Sequence, residues 1–134
     1  MSEIVEKTER FVTELLSEKL DPRFLYHNLR HTQRVVKSTK ELLNFYDLGH
    51  EENEWLLLAS WLHDIGYVEG TENHEESSAN MAASFLKENG YSATGTKQVC
   101  NLILATKMSH EPENLLEEII RDADISHFAQ KSYW

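Results

Sequence analysis

Apolar side chains fall at helical spacing along almost the whole chain. From residue 3 to residue 20, Ile4, Val5, Phe11, Val12, Leu15, Leu16 and Leu20 recur with Glu and Lys between them, a packing helix that Asp21-Pro22 breaks. A second helix is expected from an Asn28 N-cap through Val35, Val36, Leu42, Leu43 and Phe45 to a stop at Gly49. The third runs from Glu51 to Ile65 and is apolar nearly all round between Trp55 and Leu62, Ser60 excepted. A helix without a polar face belongs in the centre of a fold, and Gly66 is its expected stop. After a polar loop over 68–73, a fourth helix opens at His74, buries Met81, Ala82, Phe85 and Leu86, and ends at Asn89-Gly90. The fifth covers 92–108 with Val99, Leu102, Ile103 and Ala105 inside, and Pro112 bars its continuation. The sixth covers 114–129 and carries Leu115, Leu116, Ile119, Ile120, Ala123 and Ile125. The expected fold is therefore an all-α compact bundle of about six helices.

Composition narrows this picture without changing it. At 134 residues the chain has the size of one domain, read here as a single unit over 1–134, and two prolines with five glycines leave helix propensity unopposed. Thirteen basic against 23 acidic residues give a formal net charge of −10, a surface that repels nucleic acid polymers and anionic membranes. A small anion still has access where metal ions reverse the local potential. The lone Cys100 cannot form an internal disulfide and sits among apolar positions. No signal-peptide pattern opens the chain, and no apolar run approaches the length of a membrane span, so the expected location is cytoplasmic.

Chemistry concentrates at the end of the central helix. His63-Asp64 closes the apolar run Leu56–Leu62, and an ionised Asp there is costly to bury unless something pairs with it. A cation would do so. Asp124 falls among the buried-type positions of the last helix, and His31 shares a face with Val35. His74 opens the fourth helix, and His110 follows the fifth. Taken singly, His27, His31 and His74 read as surface or capping residues, His50 as a loop residue and His127 as surface or packing. Together, four imidazoles (His31, His63, His74, His110) and two carboxylates (Asp64, Asp124) form a donor set suited to Mn, Fe, Co, Ni or Zn. Mg and Ca prefer oxygen shells. Spacing alone does not prove convergence, because the donors come from separate helices.

The ordered set of His31, His63-Asp64 within "LHDIG", His74 at the head of "HEESSANMAASFL", His110, and Asp124 within "RDADISH" resembles the HD-domain superfamily of metal-dependent phosphohydrolases. The resemblance spans about residues 25 to 130. It implies that His31, His63, Asp64 and Asp124 bind one divalent transition-metal ion. It further implies that His74 and His110 bind a second, with Asp64 bridging the two. The run Tyr26-His27-Asn28-Leu29-Arg30-His31 resembles the "YHNxxH" motif of cyclic-nucleotide phosphodiesterases, which makes His27 a general acid.

The function implied is hydrolysis of a phosphate mono- or diester, nucleotide-like, by a metal-activated water, with Asp64 at the catalytic centre. Arg34 and Lys107 are candidates for steadying the substrate phosphate, and Glu75 or Glu72 for orienting a bound imidazole. Tyr67 stands where the cyclic-di-nucleotide-cleaving subgroup has Lys, so that substrate is not implied. The chain ends ten residues after Asp124 whereas many relatives continue, which points to a truncated chain or an absent pocket wall. Two alternatives share the donor set: a di-iron oxygenase, and a non-catalytic regulatory module that keeps the metal. Substrate, metal and oligomeric state are not written in the sequence.

Overall fold

The computed structural model describes residues 2–19, 22–70, 72–107 and 109–131, and the side chains of 22–27 and 126–131 lie outside the described residues. The described residues form six α-helices and one 3-10 turn. In order they are α1 (Glu3–Lys19), α2 (Pro22–Leu43), α3 (His50–Leu62), the 3-10 turn (Ile65–Glu69), α4 (His74–Glu88), α5 (Ala93–Leu104) and α6 (Leu115–Lys131). The all-α bundle expected from the hydrophobic pattern is the fold observed.

Helix α3 is the axis. It packs against α1, α2, α4, α5 and α6, and Leu56, Leu58, Ala59, Ser60, Trp61 and Leu62 are all buried. Its neighbours offer one stripe each: Val5, Thr8, Val12 and Leu16 from α1, and Ile119, Ile120 and Ala123 from α6. Phe11 of α1 stacks on Phe85 of α4 with ring centroids 4.1 Å apart, tying the first helix to the fourth. Each fully buried Leu contributes about 1.5–3 kcal/mol, so α3 is the element whose loss the fold tolerates least.

One polar residue enters this axis. Ser60 donates its hydroxyl to the Leu56 carbonyl at 2.7 Å, which leaves the hydroxyl of Thr39 on α2 to donate to Ser60 Oγ, also at 2.7 Å. Both buried hydroxyls are satisfied, and α2 is keyed to α3 along the Thr32, Val35, Val36 and Thr39 stripe.

The structure corrects several boundaries. Helix α2 begins at Pro22, with proline in the first turn where its missing N–H costs nothing, so Asn28 is an interior residue and not the cap. His50 is the first residue of α3 rather than a loop residue. Helix α3 ends at Leu62 with His63 as C-cap, three residues before the expected stop. Helix α5 ends at Leu104, four residues before the expected end at 108. Residues 65–69 form the 3-10 turn, where a polar loop was expected to begin at 68.

Gly66 has a role other than stopping a helix. A Cβ there would overlap the His74 carbonyl oxygen and stand 2.7 Å from Ser78 N. The glycine lets the 3-10 turn lie against the first turn of α4, and Gly66 N–H donates to Ser78 Oγ at 2.8 Å.

Candidate metal centre

Four side chains, from two helices and from the C-terminal end of α3, meet at one place. His31 projects from α2, Asp124 from α6, His63 is the α3 C-cap, and Asp64 follows in the turn to the 3-10 segment. Adjacent residues of an intact helix diverge by about 100°. Asp64 leaves helical geometry (φ −117°, ψ 10°), and this lets it point to the same place as His63. The buried pair is 1% and 8% exposed.

The distances are those of a coordination shell. His31 Nε2 lies 3.0 Å from Asp124 Oδ1 and 3.3 Å from Asp64 Oδ2. His63 Nε2 lies 3.2 Å and 3.1 Å from the same two atoms. The two Nε2 atoms are 3.3 Å apart. Donors held at roughly 2.1–2.3 Å by one octahedral ion stand about 3.0–3.3 Å apart along each edge. The donor atoms of His31, His63 and Asp124 lie within 4.8 Å of one another.

The tautomer of His63 suits this use. Its Nδ1–H donates to the Ser60 carbonyl at 2.8 Å, so in the neutral ring the Nε2 lone pair faces the cluster. Without an ion the group is a charge network. Burial opposes a charge on His63, yet Asp64 and Asp124 outweigh it and raise its pKa well above the usual imidazole value. Burial likewise pushes Asp64 upward, but His63, His31 and His74 hold its carboxyl well below the carboxylate range. Burial and then the two imidazoles act on Asp124 in the same opposed way, with a lowered outcome.

His74, the first residue of α4, joins from the other side. Its Nε2 lies 3.4 Å from Asp64 Oδ1, while Asp64 Oδ2 faces His31 and His63. The Asp64 carboxylate therefore stands between two groups of nitrogen donors. Tyr67 stacks on the His74 ring with centroids 4.2 Å apart and planes 18° from parallel. Burial, with the nearby carboxylates of Asp64, Glu75 and Asp124, raises the Tyr67 phenol's pKa.

The remaining expected site residues fall differently. His110 is placed beside α6, its Nε2 2.7 Å from Oε1 of the buried Glu117, and among the described residues no contact joins it to Asp64 or His74. Lys107 pairs with Glu76 on α4. Arg34 lies one turn beyond His31 on α2, half-buried. His27 occupies a helical position one turn before His31, and its side chain lies outside the described residues.

Sequence reasoning missed Glu117 and Arg121. Glu117 also accepts the Glu113 N–H at 3.0 Å, and Arg121 donates to the carbonyls of Ala105, Lys107 and His110, fastening the loop between α5 and α6. Glu117 lies at positions i−3 and i−7 from Ile120 and Asp124, a shared-face signal present in the sequence.

Two imidazoles and two carboxylates lie together in this all-α bundle, and three of them, His31, His63 and Asp124, form a group that could hold a metal ion. The HD domain family matches residues 28–129, and the chain belongs to that family. HD domains bind divalent metals, and most are metal-dependent hydrolases. No curated protein and no solved structure matches the chain significantly. Among the described residues no helix is long and apolar enough to cross a membrane.

Proposed function

We propose that this protein is a metal-dependent phosphohydrolase acting on a small, nucleotide-like phosphate mono- or diester. One observation carries the reading: His31 Nε2 and His63 Nε2 each lie within 3.3 Å of an oxygen of both Asp64 and Asp124. The donor chemistry fits Mn, Fe, Co, Ni or Zn, through nitrogen and carboxylate oxygen together. A divalent ion held there supplies a Lewis acid for a phosphoryl oxygen and a water of lowered pKa.

The chain's own residues do the rest. Ser60 holds His63 in the ligating tautomer. Asp64, its two oxygens facing different nitrogen groups, fixes the position of the reacting centre relative to His74. Arg34, one turn from His31, steadies the substrate phosphate. Lys107 is already neutralised by Glu76 and contributes less than its charge suggests. His27 stands in helical register with His31 and protonates the leaving oxygen. The cytoplasm is the site of action, and nucleic acid polymers and membranes are not partners.

The test is metal analysis of purified protein together with rates on a panel of phosphomonoesters and phosphodiesters, with Mn²⁺ added. Hydrolysis that a chelator abolishes and Mn²⁺ restores supports the reading. Full metal loading with no turnover on any ester would favour the regulatory module. Substrate-dependent oxygen uptake by an iron-loaded form would favour the oxygenase.

A further inference from the structure

Lys107 has a fixed backbone and a loosely held charge. Arg121 Nη1 donates to its carbonyl at 2.8 Å, and its own N–H donates to the Leu104 carbonyl at 3.2 Å. The same guanidinium nitrogen donates to the carbonyls of Ala105 and His110, so the chain is pinned to α6 before and after Lys107. The side chain reaches the other way, to Glu76 Oε2 in the first turn of α4. Among the described residues Glu76 is the hydrogen-bond and ion-pair partner of this ammonium. Two of its three N–H donors are left over.

The pair is built to exchange. The Lys107 and Glu76 side chains are 35% and 42% exposed, and solvent-screened pairs of this kind contribute little to stability. Glu76 also carries a cost, because its second oxygen, Oε1, lies out of reach of solvent and makes no hydrogen bond. A carboxylate so placed gains hydration when it swings outward, which offsets the loss of the ammonium.

The pair also stands at the rim of the centre. Glu76 follows His74 by two residues in the same helical turn, and His74 Nε2 meets Asp64 Oδ1 at 3.4 Å. Lys107 feels the charge of Glu75 as well as that of Glu76, and Glu75 Oε2 lies 3.2 Å from His74 Nε2. A doubly charged phosphoryl group at the centre attracts a neighbouring ammonium more strongly than one carboxylate does.

We propose that Glu76 is a stand-in anion: it holds the Lys107 ammonium in the absence of substrate, and the substrate's phosphate displaces it while the Lys107 backbone stays in place. The inference rests on the phosphohydrolase reading. It makes Lys107 a substrate-binding residue and Glu76 its internal competitor. Neutralising Glu76 therefore tightens phosphate binding, a gain that a purely structural ion pair would not give.

The experiment is calorimetric titration of Mn²⁺-loaded protein with inorganic phosphate, with bound Mn²⁺ counted by elemental analysis to report an intact centre in each variant. Glu76→Gln tightens binding by about 2- to 5-fold, the range that one partly exposed ion pair spans. Lys107→Met weakens it on the order of 10-fold, and the double variant matches Lys107→Met, because the gain needs the ammonium. Glu111→Gln neutralises an exposed carboxylate four residues from Lys107 and leaves affinity unchanged. Unchanged or weaker binding in Glu76→Gln, a gain that survives Lys107→Met, or an equal gain in Glu111→Gln each overturns the proposal, while phosphate binding by the wild type keeps the reading beneath it. A wild type that takes no Mn²⁺, or takes Mn²⁺ and binds no phosphate, overturns both.

Discussion

His63 Nδ1 donates to the Ser60 carbonyl one turn earlier in the same helix, at 2.8 Å, which aims Nε2 at Asp64 and Asp124 before any ligand arrives. In the metal-free protein those carboxylates raise the ring's pKa well above the usual imidazole value. An ion binding through Nε2 competes with a proton there.

Metal and pH therefore act in opposite senses on stability. The raised pKa of His63 means that its ion pairs stabilise the metal-free fold fully below about pH 6.5, the unfolded value. That contribution is lost as pH rises through the higher folded pKa. The lowered pKa values of Asp64 and Asp124 add stability above about pH 4, lost as pH falls through their folded values. Melting of chelator-treated protein should thus fall in temperature as pH rises above neutral. The gain from added Mn²⁺ should grow over the same range, reaching on the order of 10 °C at a hundredfold excess over Kd. A gain that shrinks with rising pH would contradict the ligand assignment.

Removing a first-site donor should empty the centre and spare the bundle. Asp124→Asn and His31→Gln should each lower bound metal and ester hydrolysis at least about 10²-fold, with far-UV circular dichroism unchanged. The core that holds the helices is the Leu56, Leu58, Leu62, Ile119 and Ile120 set, which neither substitution touches. Wild-type metal content in either variant would be decisive against this centre.

Gly66→Ala tests how the 3-10 turn positions α4. The new methyl group meets the His74 carbonyl and Ser78 N, both backbone, and cannot be relieved by a rotamer change. The expected cost is about 1–3 kcal/mol, read in urea unfolding. Because the displaced segment begins with His74, second-ion affinity should weaken while the first ion stays. Equal weakening of both ions would mean that the strain spreads to α3.

His27→Ala addresses the leaving group. A general acid matters when the departing oxygen needs a proton, so the variant should slow an alkyl phosphate ester by about 10²- to 10⁴-fold and leave a nitrophenyl ester near wild type. Equal losses on both would assign His27 to binding or folding instead.

The fold was legible because its signal is local. The Val5, Val12 and Leu16 stripe, the all-apolar face of α3 and the Asn89-Gly90 stop each state their own structure within a few turns. Helix ends were harder. Pro22 reads as a breaker of the preceding helix and equally as the first turn of the next, and Gly66 reads as a stop although its place is set by the backbone of α4. The meeting of His31, His63, Asp64 and Asp124 at one place was legible through the ordered resemblance. The Glu75–His74 and Glu117–His110 pairings were not, because they depend on which rotamer reaches which nitrogen across a turn or a loop.

The early end of α3 has a consequence for the order of assembly. The last carbonyls of a helix carry a partial negative charge, and α3 ends at the residues that lead into Asp64, whose carboxylate stands close to His31 and His63. An anion approaching the bare protein meets carboxylates and a helix terminus of its own sign, whereas a cation meets a well. If the proposed phosphohydrolase reading holds, the length of α3 thus favours metal before phosphate. A kinetic experiment that varies both should find substrate binding only to the loaded form.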